Sequence, residues 1–298
     1  MKNKKTNFNK PSLWEHFLFL GPASVIFLIV IIIPFIISIR YSLTSWNGVS
    51  SEINFVGLKN FADIFSGKSS FLDAFKFTSI IAIFNVVCMN VVGIAMAALL
   101  TTKIPFQSAF RVVFYLPNII GGLILGFVWQ FIFINGIPAI GKLIQFEPLM
   151  TPWLGTELTA YAAIVIVSVW QGMGYVMVII IAALTGISSD LTEAARIDGA
   201  NAFQVFFKIK LPLCMPYITL CLFWTISQAF KMFDLNYSLT KGGPYGSTVS
   251  LALNIYNDAF ANNKYGLATA ESLVFFVIIL LITSVQMYFS RRKEKELL

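Results

Sequence analysis

Residues 188–212 read SSDLTEAARIDGANAFQVFFKIKLP, set between an apolar run at 158–184 and another that begins at Leu211. The order of residues is that of a small folded unit, not of a random connector. Asp190 is placed to cap a helix, with Glu193 three residues on in a capping-box arrangement. Ala194 and Ala195 follow, and side chains this small let another protein's surface approach the helix backbone. Gly199 then breaks the helix, as a left-handed terminating residue does. Phe203, Phe206, Phe207 and Ile209 recur at helical spacing, and Pro212 stops that second helix or kinks it into the next apolar run. The stretch predicts a short helix, an elbow and an amphipathic helix standing out from whatever buries the flanking runs.

Those runs say what buries them. Six apolar segments, 17–39, 77–100, 112–134, 158–184, 211–230 and 272–290, contain no Asp, Glu, Lys or Arg. Each has about the 20 residues that a helix needs to cross about 30 Å of hydrocarbon. The strands of a membrane β-barrel are about half as long and alternate in polarity, which these runs do not. The 298 residues are 57% hydrophobic and 12% charged, with a mean hydropathy of +0.79. Soluble domains carry about 25% charged residues, so the bilayer is the solvent for much of this chain. The fold class expected is all-α, a polytopic membrane protein with six transmembrane helices.

Orientation follows from the basic residues. With the N-terminus in the cytoplasm, the inside segments 1–16, 101–111, 185–214 and 291–298 hold 13 Lys and Arg in 65 positions; the outside segments hold 8 in 95. Both termini are expected to be cytoplasmic. Lys2, Lys4, Lys5 and Lys10 precede an apolar run longer than a signal-peptide core, with no small-x-small cleavage site after it, so the first run is read as a retained span. The net charge of +7 is thus a matter of membrane orientation, and no nucleic-acid partner is expected.

Several chemistries drop out. His16 is the sole histidine, which removes histidine metal clusters and Ser/His/Asp triads. Cys88, Cys214 and Cys221 fall in or beside apolar runs and read as small hydrophobes. The stretch Ala62 to Gly67-Lys68-Ser69 matches a loose phosphate-loop pattern but lies in a short loop with no room for an α/β domain. Gly242-Gly243-Pro244 lacks that context too and reads as an external turn. Pro34, Pro117, Gly121, Gly122, Gly126, Gly172 and Gly174 interrupt the spans, as suits helices that pack closely or unwind around a cavity. Asn118, Trp129, Gln130, Trp170, Gln171, Tyr175, Trp224 and Gln228 place polar and aromatic groups at bilayer depth, where they pair between helices or line a wet cavity. Trp129-Gln130 and Trp170-Gln171 repeat one pairing and rank first among them. Amides and aromatic faces together suit a sugar.

The loop resembles the EAA motif of binding-protein-dependent importer permeases: Glu-Ala-Ala, three residues, Gly, nine residues, Ile-x-Leu-Pro. Glu193-Ala194-Ala195, Gly199 and Ile209-Lys210-Leu211-Pro212 fit every spacing. The resemblance extends along the chain to the maltose-type carbohydrate permeases, specifically the first of their two permease subunits. It is carried by Tyr41-x-Ser-Leu-x-x-Trp46, by Phe55-Val56-Gly57-Leu58-x-Asn60-Phe61, by FDLNYSLTKGGP at 233–244 and by LALNIYNDAFANNKYGLAT at 251–269. It implies a type I ABC importer permease in a bacterial cell membrane. Residues 1–76 would form the N-terminal tail, first span and external loop; 77–290 the permease core, with its coupling loop at 185–214; and 291–298 a cytoplasmic tail. Glu193, Ala194, Ala195, Gly199, Ile209, Leu211 and Pro212 would couple to the ATPase. The implied partners are a second homologous permease, two ATP-binding-cassette ATPase subunits and an external solute-binding protein. ATP and Mg would sit on the ATPase, with no cofactor and no catalysis in this chain. The rival, an ion-coupled secondary transporter, expects a charged group near mid-membrane, and Glu271 lies only at the margin of the last run.

Overall fold

A computed structural model describes residues 13–102 and 104–297, which leaves Lys2, Lys4, Lys5 and Lys10 outside the described residues. Among the described residues, helices long and apolar enough to cross a membrane are Leu18–Ser42, Phe71–Leu99, Gly122–Ile144, Glu157–Thr185 and Tyr265–Lys293; a bent pair, Ala202–Leu213 with Met215–Phe230, makes a sixth when its two parts are taken as one broken span. The fourth span is the hub. Of its most apolar window 56% is buried, against none for the first and last spans. Without water to expel, such helices associate through close packing and polar contacts. A Cβ on Gly174 would sit 2.9 Å from the Tyr115 Cα, so glycine there lets helix Gln107–Ile119 ride directly on the fourth span. Asn90 of the second span donates to Thr225 Oγ1 of the fifth at 3.0 Å.

Proline explains where the spans depart from regular α-helix. Three π-helical turns, Leu28–Ile32, Ile132–Gly136 and Phe206–Lys210, each end two residues before Pro34, Pro138 and Pro212 respectively. A proline ring clashes with the carbonyl four residues back. That residue is Val30, Ile134 or Lys208, the middle of each turn, where the wider π geometry makes room.

The third and fifth spans differ from the sequence reading. The third apolar run, 112–134, is not one helix. Gln107–Ile119 and Gly122–Phe131 are separated by extended backbone at Ile120 and Gly121, with ψ of 129° and 138°. Pro117 and the Gly-Gly pair allow the break, and hydropathy does not register it. The fifth run bends by 71° at Cys214, between Pro212 and Pro216, so the straight helix starts at Met215.

Residues 231–264, nearly all of the 231–265 segment expected to lie outside, fold back onto the bundle at the end opposite the 185–214 loop. Helix Asp234–Leu239 packs against Gly122–Phe131. The Asn236 amide donates to the Thr248 carbonyl at 2.7 Å and accepts from the Ser250 N–H at 3.0 Å. Ser250 Oγ donates to the Met232 carbonyl at 2.7 Å, and the Leu251 N–H donates to Thr78 Oγ1 at 2.8 Å. Glu271, at the margin of the last apolar run, takes part in this packing. It is fully buried and accepts from the Asn254 amide at 3.1 Å, which ties this cap to the last span. The first span touches the rest along one side, through the last helix, where Phe35 meets Phe276 edge-on at 5.5 Å.

Candidate functional sites: a projecting loop and a central cavity

The loop is built as its sequence directs, with one correction. Helix Ser189–Ile197 is capped by Ser188, whose hydroxyl accepts from the Asp190 N–H, so Asp190 lies inside the first turn and is not the cap. Its charge there still favours the helix N-terminus. The reciprocal capping box falls instead at Asn201 and Gln204, where each backbone N–H donates to the other's side chain at 2.9 Å. The elbow is a Schellman motif. Ala200 N–H donates to the Ala195 carbonyl at 2.9 Å and Gly199 N–H to the Arg196 carbonyl at 3.0 Å, with Gly199 at φ +84°. Glu193 and Ala194 are exposed, while Ala195 is buried against the elbow. Ile209, Leu211 and Pro212 are half-buried where the loop turns into the fifth span. Ile197 (86% exposed) and Phe203 (70%) present a bare apolar surface beside Glu193 and Ala194.

The cavity, about 490 Å³, lies among the second to fifth spans, within the range of small-molecule sites. It brings together five of the eight polar and aromatic candidates: Asn118, Gln171, Tyr175, Trp224 and Gln228. The break in the third span organises one wall. Gln171 donates to the Ile120 carbonyl at 3.1 Å, and Asn118 donates to the Gln171 carbonyl at 3.4 Å. Tyr175, one turn along the fourth span from Gln171, stacks on Trp224 of the fifth at 4.1 Å.

The other three candidates lie apart from the cavity. Trp129 meets Trp170 edge-on at 5.4 Å in the helix core, and Gln130 donates to the Leu239 carbonyl at 3.0 Å. The structure adds lining residues the sequence reading omits. Asn85 is 1% exposed, and its Oδ1 has no partner among the described residues. Ser168, Lys231, Phe233 and Asp234 also face the space. Asn85 and Ser168 are polar groups inside apolar runs and carry the same signal as Asn118. Lys231, Phe233 and Asp234 carry none, because only the folding back of 231–239 brings them inward.

A bundle of membrane-spanning helices with a polar cavity among its second to fifth spans, and a helical elbow projecting at one end, is the architecture of a membrane permease. The chain belongs to the family of binding-protein-dependent transport system inner membrane components, whose family pattern matches residues 89–295. It is 42% identical over 294 residues, 99% of both chains, to a probable permease protein of the starch degradation products transport system of Thermoanaerobacterium thermosulfurigenes. It is 35% identical to the multiple sugar-binding transport system permease protein of Streptococcus mutans, over 85% of this chain and 87% of that one. In fold it is similar to a chain of a bacterial alginate ABC transporter solved in complex with an alginate pentasaccharide-bound periplasmic protein, with TM-score 0.83 at 21% identity, covering 95% and 96% of the two chains. The chain is therefore a multi-pass permease subunit of an ABC transport system, a transport component and not an enzyme.

Proposed function

We propose that this permease carries neutral oligosaccharides, of the kind released from starch, through a bacterial cell membrane into a cytoplasm that holds both its termini. It pairs with a second permease. A solute-binding protein delivers sugar at the 231–264 end, and two ATPase subunits, which hold ATP and Mg, dock at the 185–214 end. The observation that carries this reading is the cavity lining: amides, stacked aromatics and an unpaired buried Asn85 oxygen, groups that match the hydroxyls and apolar ring faces of a sugar. Lys231 and Asp234 contribute one charge of each sign, which does not select an anionic substrate. The names of the similar sugar permeases point the same way.

Glu193, Ala194 and the Gly199 elbow form the ATPase contact, backed by Ile209, Leu211 and Pro212 at the root of the fifth span. Closure of the ATPases shifts the permease pair towards its outward-open state, so that sugar enters the cavity from the binding protein. Asn118, Gln171, Tyr175, Trp224 and Gln228 face that sugar. The test is uptake of labelled maltose and maltotriose by cells with and without the gene. Uptake that needs the gene and ATP and survives collapse of ion gradients supports the reading. Uptake abolished by an ionophore at constant ATP overturns it in favour of an ion-coupled transporter.

A further inference from the structure

The cap carries a run of aromatic rings in mutual contact. Phe233 lines the cavity and stacks on Tyr237 at 5.6 Å. Tyr256 closes a triangle with them, 5.2 Å from Phe233 and 6.0 Å from Tyr237. Phe260 continues from Tyr256 at 5.1 Å and then meets Tyr265 edge-on at 6.5 Å. Tyr265 belongs to a second group, with Trp46 and Tyr41, that pins the first span to the last. Three of the first four rings are more exposed than that group, Tyr237 at 36%, Tyr256 at 38% and Phe260 at 65%, while Phe233 is half-buried like Tyr41, Trp46 and Tyr265. Their surroundings are polar, with Asn262, Asn263 and Lys264 exposed beside Phe260.

We propose that Phe233, Tyr237, Tyr256 and Phe260 form a carbohydrate track on the cap, along which the sugar units of an oligosaccharide too long for the cavity stack on the way in. The inference rests on the sugar reading above and adds a determinant of chain length to it. Continuity selects this occupant, because the line of ring contacts starts at Phe233, which already faces the cavity. The apolar faces of pyranose rings stack on aromatic rings, while the Tyr237 and Tyr256 hydroxyls and the nearby amides serve sugar hydroxyls. Phe260 lies two ring contacts beyond Phe233, at 5.2 and 5.1 Å, so the track requires transport of a longer oligosaccharide to depend on Phe260 more than transport of a disaccharide does.

The test uses the assembled transporter with its binding protein in proteoliposomes and compares maximal transport rates for maltose, maltotetraose and maltohexaose. Phe260→Ala removes a mostly exposed ring and leaves no hole in the core. The maltohexaose-to-maltose rate ratio is expected to fall about three- to tenfold, the size of one lost aromatic contact, and Phe260→Tyr restores it. An unchanged ratio in Phe260→Ala overturns the track. So does loss of subunits from that variant on size-exclusion chromatography, which would make the rings a subunit contact. A wild-type transporter that moves none of the three sugars brings down the sugar reading itself, and the track with it.

Discussion

Gly199 and Gln171 meet two different geometric demands. Gly199 sits at φ +84°, and a Cβ added there would meet no atom within 4 Å, so backbone conformation, and not space, holds it as glycine. A β-branched residue there costs about 1–2 kcal/mol of local strain and shifts the elbow. Gly199→Val is therefore expected to lower transport about tenfold or more while the complex still assembles, and Gly199→Asn, which tolerates this region, to retain most of it. Wild-type transport by the valine variant would count against coupling through this elbow. Gln171 has a different duty. Its amide satisfies the Ile120 carbonyl freed at the break in the third span, and an orphaned buried carbonyl costs about 1–3 kcal/mol. Gln171→Leu should cut uptake severalfold and leave ATPase docking intact, as measured by co-purification of the ATPase. Unchanged uptake would remove Gln171 from the pathway.

At the scale of elements, close approach and backbone breaks make separate predictions for glycines that look alike in the sequence. A Cβ on Gly174 meets the backbone of Phe114 and Tyr115, whereas one on Gly121 meets nothing within 4 Å. Gly174→Ala should destabilise the purified complex by about 1–3 kcal/mol, seen as a lower melting temperature, and Gly121→Ala should leave that temperature unchanged. The sequence distinguishes neither case, although it locates the elements well. The apolar run 158–184 matches helix Glu157–Thr185 to within a residue at each end, because a membrane-crossing helix is apolar along its whole length whether it faces lipid or neighbouring helices. The break at Ile120–Gly121 and the 71° bend at Cys214 are invisible to hydropathy, since apolar residues continue through both. The cap is illegible for the opposite reason. Residues 231–264 are polar enough for a loop, and their inward packing depends on side-chain bonds such as Asn236 to Thr248 that no periodicity announces. The cavity divides the same way. Gln171 and Tyr175 declare themselves as polar groups in an apolar helix, while Lys231 and Asp234 become lining residues only through the tertiary fold.

For the whole molecule, the proposal requires the two ends of the bundle to face opposite compartments, with the elbow at the ATPase and the cap at the binding protein. The excess of Lys and Arg in the segments grouped with 185–214 is the ground on which the proposal assigns that end to the cytoplasm. The structure supplies two well-exposed reporter positions, Ile197 at the elbow (86% exposed) and Tyr245 in the cap (fully exposed). The native thiols give little background, as Cys214 and Cys221 are buried and Cys88 lies part-buried within the second span. With a membrane-impermeant maleimide on intact cells, Tyr245→Cys should be labelled and Ile197→Cys should not; permeabilising the cells should expose Ile197→Cys. The opposite pattern would put the elbow outside, where no ATPase could dock on it, and would remove the mechanism at its first step. Labelling of both in intact cells would mean that the 71° bend turns the fifth segment back without crossing, so that elbow and cap share one face. The expected pattern alone fits a chain in which ATPase closure at one end moves the fifth span and, through Met232 and Ser250, the cap at the other.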